Sequence, residues 1–251
     1  MSGPFLQRRR PWRLYVLLVA AGLVVAVAAG LVTETALARR PHETLAVPPA
    51  PPLPGAGSGG TSPAAGTSPQ PTDGGPLQVL PGTTLAPGGV RTGFPHTLQG
   101  AVSAAVQDWS QIGSDLSPAR AALIGTAIAD PSWQHAGAAL AAGVQATRRG
   151  LGLPAAGPVP AGASVTFTAV DYQVRDVAPG EVTVLLLAYY AVTLPGQQPQ
   201  TTVAVYPAVM HWARGDWKIL APAAGGPDYS GLDAQPGSAQ AAADGWQPLD
   251  Q

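Results

Sequence analysis

From Leu14 to Val32 the chain reads LYVLLVAAGLVVAVAAGLV, nineteen residues without a charge, directly behind Arg8, Arg9, Arg10 and Arg13. A helix of that length covers the roughly 30 Å hydrocarbon core of a bilayer. It also satisfies its own backbone amides, which lipid cannot do. Four arginines on one short flank, against Arg39 and Arg40 beyond the other, hold the N-terminal side in the cytoplasm. The pattern predicts a cytoplasmic arm over 1–13, a transmembrane helix over 14–33 and an extracytoplasmic remainder. A cleaved signal peptide ending at Ala36-Leu37-Ala38 is the rival reading, although the apolar run exceeds the usual signal core. Both readings place the rest of the chain outside the cytoplasm.

Beyond the span the apolar rhythm stops. Residues 34–92 are rich in Pro, Gly, Ser and Thr and lack the apolar surface to offset the entropy of ordering them, so they read as a disordered tether. Helical period starts behind Thr97, a natural N-cap. Leu98, Ala101, Val102, Ala105, Val106, Trp109 and Ile112 form one stripe, which Gly113 ends. Ser117-Pro118 opens a second helix to about Ala129. Asp130-Pro131 repeats the device before a third, with Trp133, Ala136, Leu140, Val144 and Thr147 on one face and Arg148-Arg149 at its C-terminal dipole.

After a Gly/Pro connector the period changes to two. Ser164–Val174, Glu181–Leu194, Thr201–Trp212 and Trp217–Ala221 read as antiparallel strands. The second is apolar on both faces and belongs in the centre of a sheet, and Pro207 marks the third as an edge or a bulge. The expectation is an α+β domain over 93–222: three N-terminal helices packed on a curved antiparallel sheet of about four strands. Residues 223–251 return to Gly, Ala, Pro and Asp and read as a disordered tail with Trp246 as its one hydrophobic anchor.

Composition narrows the partners. A net charge of −1 with 11% charged residues offers no basic field, so no direct nucleic-acid contact is expected. The absence of cysteine removes disulfides and thiolate chemistry. No nucleophile elbow, zinc-protease or phosphate-loop motif occurs, so no catalytic residue, cofactor or metal ligand is assigned and no enzyme is expected. Small residues Gly22, Ala26 and Gly30 at four-residue spacing let two spans approach closely, which makes a homo-oligomer a candidate.

The run Trp212-Ala213-Arg214-Gly215-Asp216-Trp217-Lys218-Ile219 resembles the W-x-x-G-D-W-K-[IL] hairpin of the nuclear transport factor 2-like superfamily, whose half-cone fold it implies. The opening GFPHTLQGAVSAAVQDW (Gly93–Trp109) is similar to the G-[FY]-x-H-x-x-x-G-A-V-x-A-A start of membrane-anchored proteins of actinobacterial integrative and conjugative elements. The arm, single span, tether and soluble domain together resemble bitopic components of type IV secretion machines. These resemblances imply a scaffold or interaction role in a conjugative transfer channel, with other envelope proteins as partners. The alternatives are an anchored small-molecule-binding or enzymatic cone domain using His211 and Asp171, and a cell-envelope binding or regulatory module.

Enzymes of the superfamily place a histidine and an aspartate inside the cone. The positions here that match such a pair are His211 and Asp171, both on strands, and a histidine beside a carboxylate titrates near neutral pH. The bland reading, a satisfied polar spot, carries more weight. His96, one residue before the first cap, is a third polar candidate, and Trp212, Gly215, Asp216 and Trp217 are expected to pack and turn the hairpin.

Overall fold

The computed structural model describes residues 75–250. The expected arm, transmembrane helix and most of the tether lie outside the described residues. Among those described, no helix is long and apolar enough to cross a membrane.

Three short strands come first: β1 (Leu77–Gln78), β2 (Thr84–Ala86) and β3 (Val90–Thr92). The helices α1 (Leu98–Gly113), α2 (Pro118–Ile128) and α3 (Ala136–Gly150) follow. The long strands are β4 (Ser164–Ala178), β5 (Glu181–Thr193) and β6 (Gln200–Ala213), with the short β7 (Asp216–Ile219) behind them. A 3-10 turn (Ser230–Leu232), α4 (Ala239–Ala243) and β8 (Gln247–Asp250) end the described chain. The sheet is six-stranded and curls into a half-barrel in the order β1-β8-β4-β5-β6-β7, while β2 and β3 make a separate hairpin. Among the described strand pairs only β1–β8 is parallel.

This corrects the expected half-cone of three N-terminal helices on about four strands. Strands stand before the helices, and the last strand enters the sheet between the first and the fourth. Two segments of low hydrophobicity take part after all. Leu77 and Val90, inside the stretch read as tether, are buried in the main core, and the Leu80 amide donates to Ser103 Oγ at 2.9 Å. The expected disordered tail instead lies against the sheet, where the Trp246 indole is buried and donates to the Leu232 carbonyl at 3.1 Å.

The reason lies in β5. Val182, Val184, Leu186, Ala188, Tyr190 and Val192 join the core beneath the helices. Leu185 and Leu187, pointing the other way, are equally closed and pack with Ala234, Ala241, Trp246, Tyr229 and Leu232 of the tail. A strand apolar on both faces needs two covers, and the tail supplies the second. In β4 a bulge at Val170 shifts the register between Ala169 and Asp171. Val165, Phe167 and Ala169 before it, and Tyr172 and Val174 after it, all meet the main core.

Helix ends follow local chemistry. Thr97 Oγ1 accepts from the Gly100 amide at 3.0 Å, and Ser117 caps α2 with Pro118 in its first turn. The third helix starts later than its apolar spacing suggests, at Ala136, and Trp133 is buried in the preceding turn. Arg148 is not a surface complement to the dipole. It is wholly buried and donates to the carbonyls of Leu116, Ala156, Gly157 and Pro158 at 2.9–3.2 Å, drawing the Gly/Pro connector against the helices.

Candidate functional site

The β6–β7 hairpin turns on two residues, Arg214 (φ 54°) and Gly215 (φ 77°). Positive φ at both central positions is a type I′ geometry, which suits the twist of the flanking strands and favours glycine at the second position. The turn sets Asp216 and Trp217 against the entry to α1. Asp216 Oδ1 accepts from the Phe94 amide, and Trp217 Nε1 donates to the Pro95 carbonyl, both at 2.9 Å. The His96 ring stacks on Trp212 at 4.2 Å between centroids and tilts over Trp217 at 5.4 Å. A Cβ on Gly100 would lie 2.0 Å from the Pro95 carbonyl oxygen, so the glycine in the opening motif is required by this approach. The two motifs, more than a hundred residues apart in sequence, are two sides of one contact.

Behind them, Lys218 Nζ donates to Asp216 Oδ2 and to the Ala127 carbonyl in the last turn of α2, both at 2.9 Å. The corner that follows α2 adds to the sheet edge. Ala129 bridges Ile219, and the Asp130 amide donates to the Ile219 carbonyl at 2.8 Å. His211, directly opposite Lys218 on β6, closes the arrangement with Nδ1 2.7 Å from Asp130 Oδ2. Asp130 Oδ1 accepts from the Ser132 amide at 2.8 Å and from its hydroxyl at 2.6 Å. Burial pushes the Asp130 carboxyl up, but the hydrogen bonds from His211 and Ser132 together outweigh it and hold the group below its ordinary value. Asp130 is therefore a carboxylate at neutral pH.

The structure does not bring His211 and Asp171 together. His211 faces Glu181 on β5, while Asp171 faces Leu187 on β5 and Pro248 on β8. Six residues along one strand correspond to about 20 Å, too far for proton transfer between the two side chains. Asp171 is buried, and that burial raises its pKa. Between α1 and the sheet, where a cone would hold substrate, stand the rings of Trp109, Phe167 and Tyr206, with centroids 4.8–5.9 Å apart. His211 is thus a histidine on a strand paired on both sides, between β5 and β7, whose carboxylate is Asp130, a residue the sequence pattern presented only as a helix-start signal.

Asp108 escaped the sequence reading altogether. It sits inside α1, 2% exposed, and its Oδ2 has no hydrogen-bond partner. Desolvation lifts its pKa well above the usual carboxylate range; Lys218 partly offsets this and Asp216 adds to it. The signal was present: Asp108 falls seven residues after Ala101 and four after Ala104, on the apolar side of the helix rather than opposite it.

A cleft of about 620 Å³ opens beside the hairpin between Thr84, Thr92, the end of α2, Trp133 and the Arg214–Lys218 segment. Among the described residues no group of three His, Cys, Asp or Glu side chains is arranged to hold a metal ion. Asp130, Asp216 and Lys218, which border the cleft, are already bonded to one another's elements. Their chemistry is that of pins joining α2, β7 and the entry to α1.

These features define an α+β domain with a curled sheet whose central strand is closed on both faces and a polar knot at its hairpin end. The chain belongs to the family described as a domain of unknown function, DUF8175, whose model matches residues 66–246. No curated protein and no solved structure matches the chain.

Proposed function

We propose that this chain is a membrane-tethered interaction module of the cell envelope that assembles with other envelope proteins of a conjugative transfer channel. The observation that carries the reading is the state of the polar knot. Asp216, Lys218, Asp130 and His211 are each bonded to a separate structural element, which suits a rigid docking head better than a reaction site. The arginine-flanked apolar stretch and the sequence resemblances add the membrane and the transfer machinery.

Two measurements test it. A reporter fused after Gln251 should be active only outside the cytoplasm; activity on the cytoplasmic side overturns the proposal. In-cell crosslinking of the full chain should then recover channel components. Recovery of soluble cytoplasmic proteins alone would overturn the assembly role.

A further inference from the structure

The strand β6 is bonded to β5 from Gln200 to His211 but to β7 only from Met210 to Ala213, so its first half is a sheet edge. The Leu220 amide donates to the Val209 carbonyl, and the Trp212 amide to the Gly180 carbonyl beside β5. Odd-numbered residues of β6 therefore turn their backbone groups outward and even-numbered ones turn them toward β5. Two outward positions are already closed. Pro207 has no N–H, and its carbonyl accepts from Trp109 Nε1 at 3.2 Å. The Val205 amide is held by Asp233 Oδ1 at 3.1 Å. The outward groups of Thr201 and Val203 have no partner among the described residues.

Protein edges are ordinarily blunted by charge, proline or a bulge. Here that protection stops at Val205, and Gln200–Val205 (QTTVAV) is uncharged, β-branched and at least partly exposed. Of the other sheet edges, β1 is two residues long and β7 is overlaid at Ile219 by Ala129, while β4, paired with β8 only at Asp171–Tyr172, has its outward Phe167 amide held by Ser114 Oγ at 2.9 Å.

We propose that Thr201–Val205 is a self-association edge, where two copies of this chain pair antiparallel about a two-fold axis at Val203 and join their sheets. A two-fold contact sets like residues against like, and an uncharged segment meets its own copy without repulsion. In this register each Val203 amide donates to the Val203 carbonyl of the other copy, and each Thr201 amide to the other Val205 carbonyl. The Thr201–Val205 bonds require the Asp233 side chain, which holds the Val205 amide, to turn aside, whereas the Val203 pair closes without that movement. Val203 and Val205 already pack on the tail cluster, so pairing makes the two clusters continuous across the axis.

The chain contains no cysteine, so Val203→Cys introduces a single thiol. Across a hydrogen-bonded antiparallel pair the Cα atoms stand about 5.5 Å apart, within disulfide reach. Under mild oxidation, purified full-length V203C should form a covalent dimer at least about tenfold faster than Val177→Cys, which is 68% exposed at the far end of β4. Equal rates, or no V203C dimer, overturn the proposal even if the chain dimerises elsewhere.

Val203→Pro provides the second arm. It removes only an outward amide, as Pro207 already does on the same strand. It should shift sedimentation to monomer while the melting temperature, read at a concentration where wild type is monomeric, moves by no more than about 2–4 °C. A V203P variant that folds and still dimerises like wild type overturns the proposal. If V203P does not fold, the cysteine comparison decides alone.

Discussion

The two faces of β5 are built from the same residue types, yet they are closed in different ways. Toward the helices, Val184, Leu186 and Ala188 lie beneath elements that carry long apolar stripes and are capped at Thr97 and Ser117. On the other face, Leu185 and Leu187 lie beneath a segment of mostly Gly, Ala, Pro and Asp, whose hold rests on Trp246, a single turn of 3-10 helix and a five-residue helix. Full burial of a side chain therefore does not report how firmly its cover is attached. The helix cover is cooperative with the core. With so few anchors, the tail cover is expected to open while the core stays folded.

That difference can be broken or sharpened by experiment. The largest effect is expected for Leu186→Ala, a cavity beneath the helices, with a loss of about 2–5 kcal/mol in denaturant unfolding and one shared transition by all probes. Trp246→Ala should cost less, about 1–3 kcal/mol, because the tail can detach without unfolding the sheet. Its mark is local: amide exchange in β8 and β1 should quicken far more than in β5. Equal acceleration throughout would mean that the tail belongs to the core.

Protonation compares how dry the two faces are. Asp108, under the helices, has a raised pKa, so the folded state binds its proton more tightly than the unfolded chain. Its contribution is favourable in acid and is lost as pH climbs from the ordinary carboxylate range toward the folded value, at up to about 1.4 kcal/mol per pH unit. Asp108→Asn should thus match wild type near pH 3 and exceed it increasingly above pH 4 in thermal or denaturant unfolding. Asp171, toward the tail, is raised by burial alone, and its pKa is set beside the short β8. Asp171→Asn should show the same sign with a smaller gain, below about 1 kcal/mol; a larger gain than at Asp108 would reverse the order of dryness. At the knot the sign inverts. Asp130 is lowered, so its contribution is present above the unfolded pKa and lost as pH falls through the folded one. Asp130→Asn should therefore be destabilising at pH 7, by about 1 kcal/mol, and neutral in strong acid.

Much of the domain is legible in its residues. The caps Thr97 and Ser117, the helical stripe to Ile112, the long strands and the Arg214-Gly215 turn are local events, fixed by backbone sterics and by the period of apolar positions. Pro207 announced the edge that β6 has. The doubly apolar β5 announced a central strand covered on at least one side, and Trp246 stood out as a hydrophobic anchor in a tail that read as disordered. Which segment would provide that cover could not be read, because weakly apolar stretches order only where a prepared surface meets them. The knot was legible in part. Trp212, Asp216, Trp217 and His96 meet, but the partner of His211 is Asp130 rather than Asp171.

What the sequence determined alone was the set of elements, since propensity, capping and hydrophobic period act over a few residues. What only the tertiary structure decided was the order of strands in the sheet, the folding of tether and tail residues into it, and the pairing of His211. Each depends on contacts between residues tens to more than a hundred positions apart, and the entropy of closing such loops is repaid only when the whole core forms.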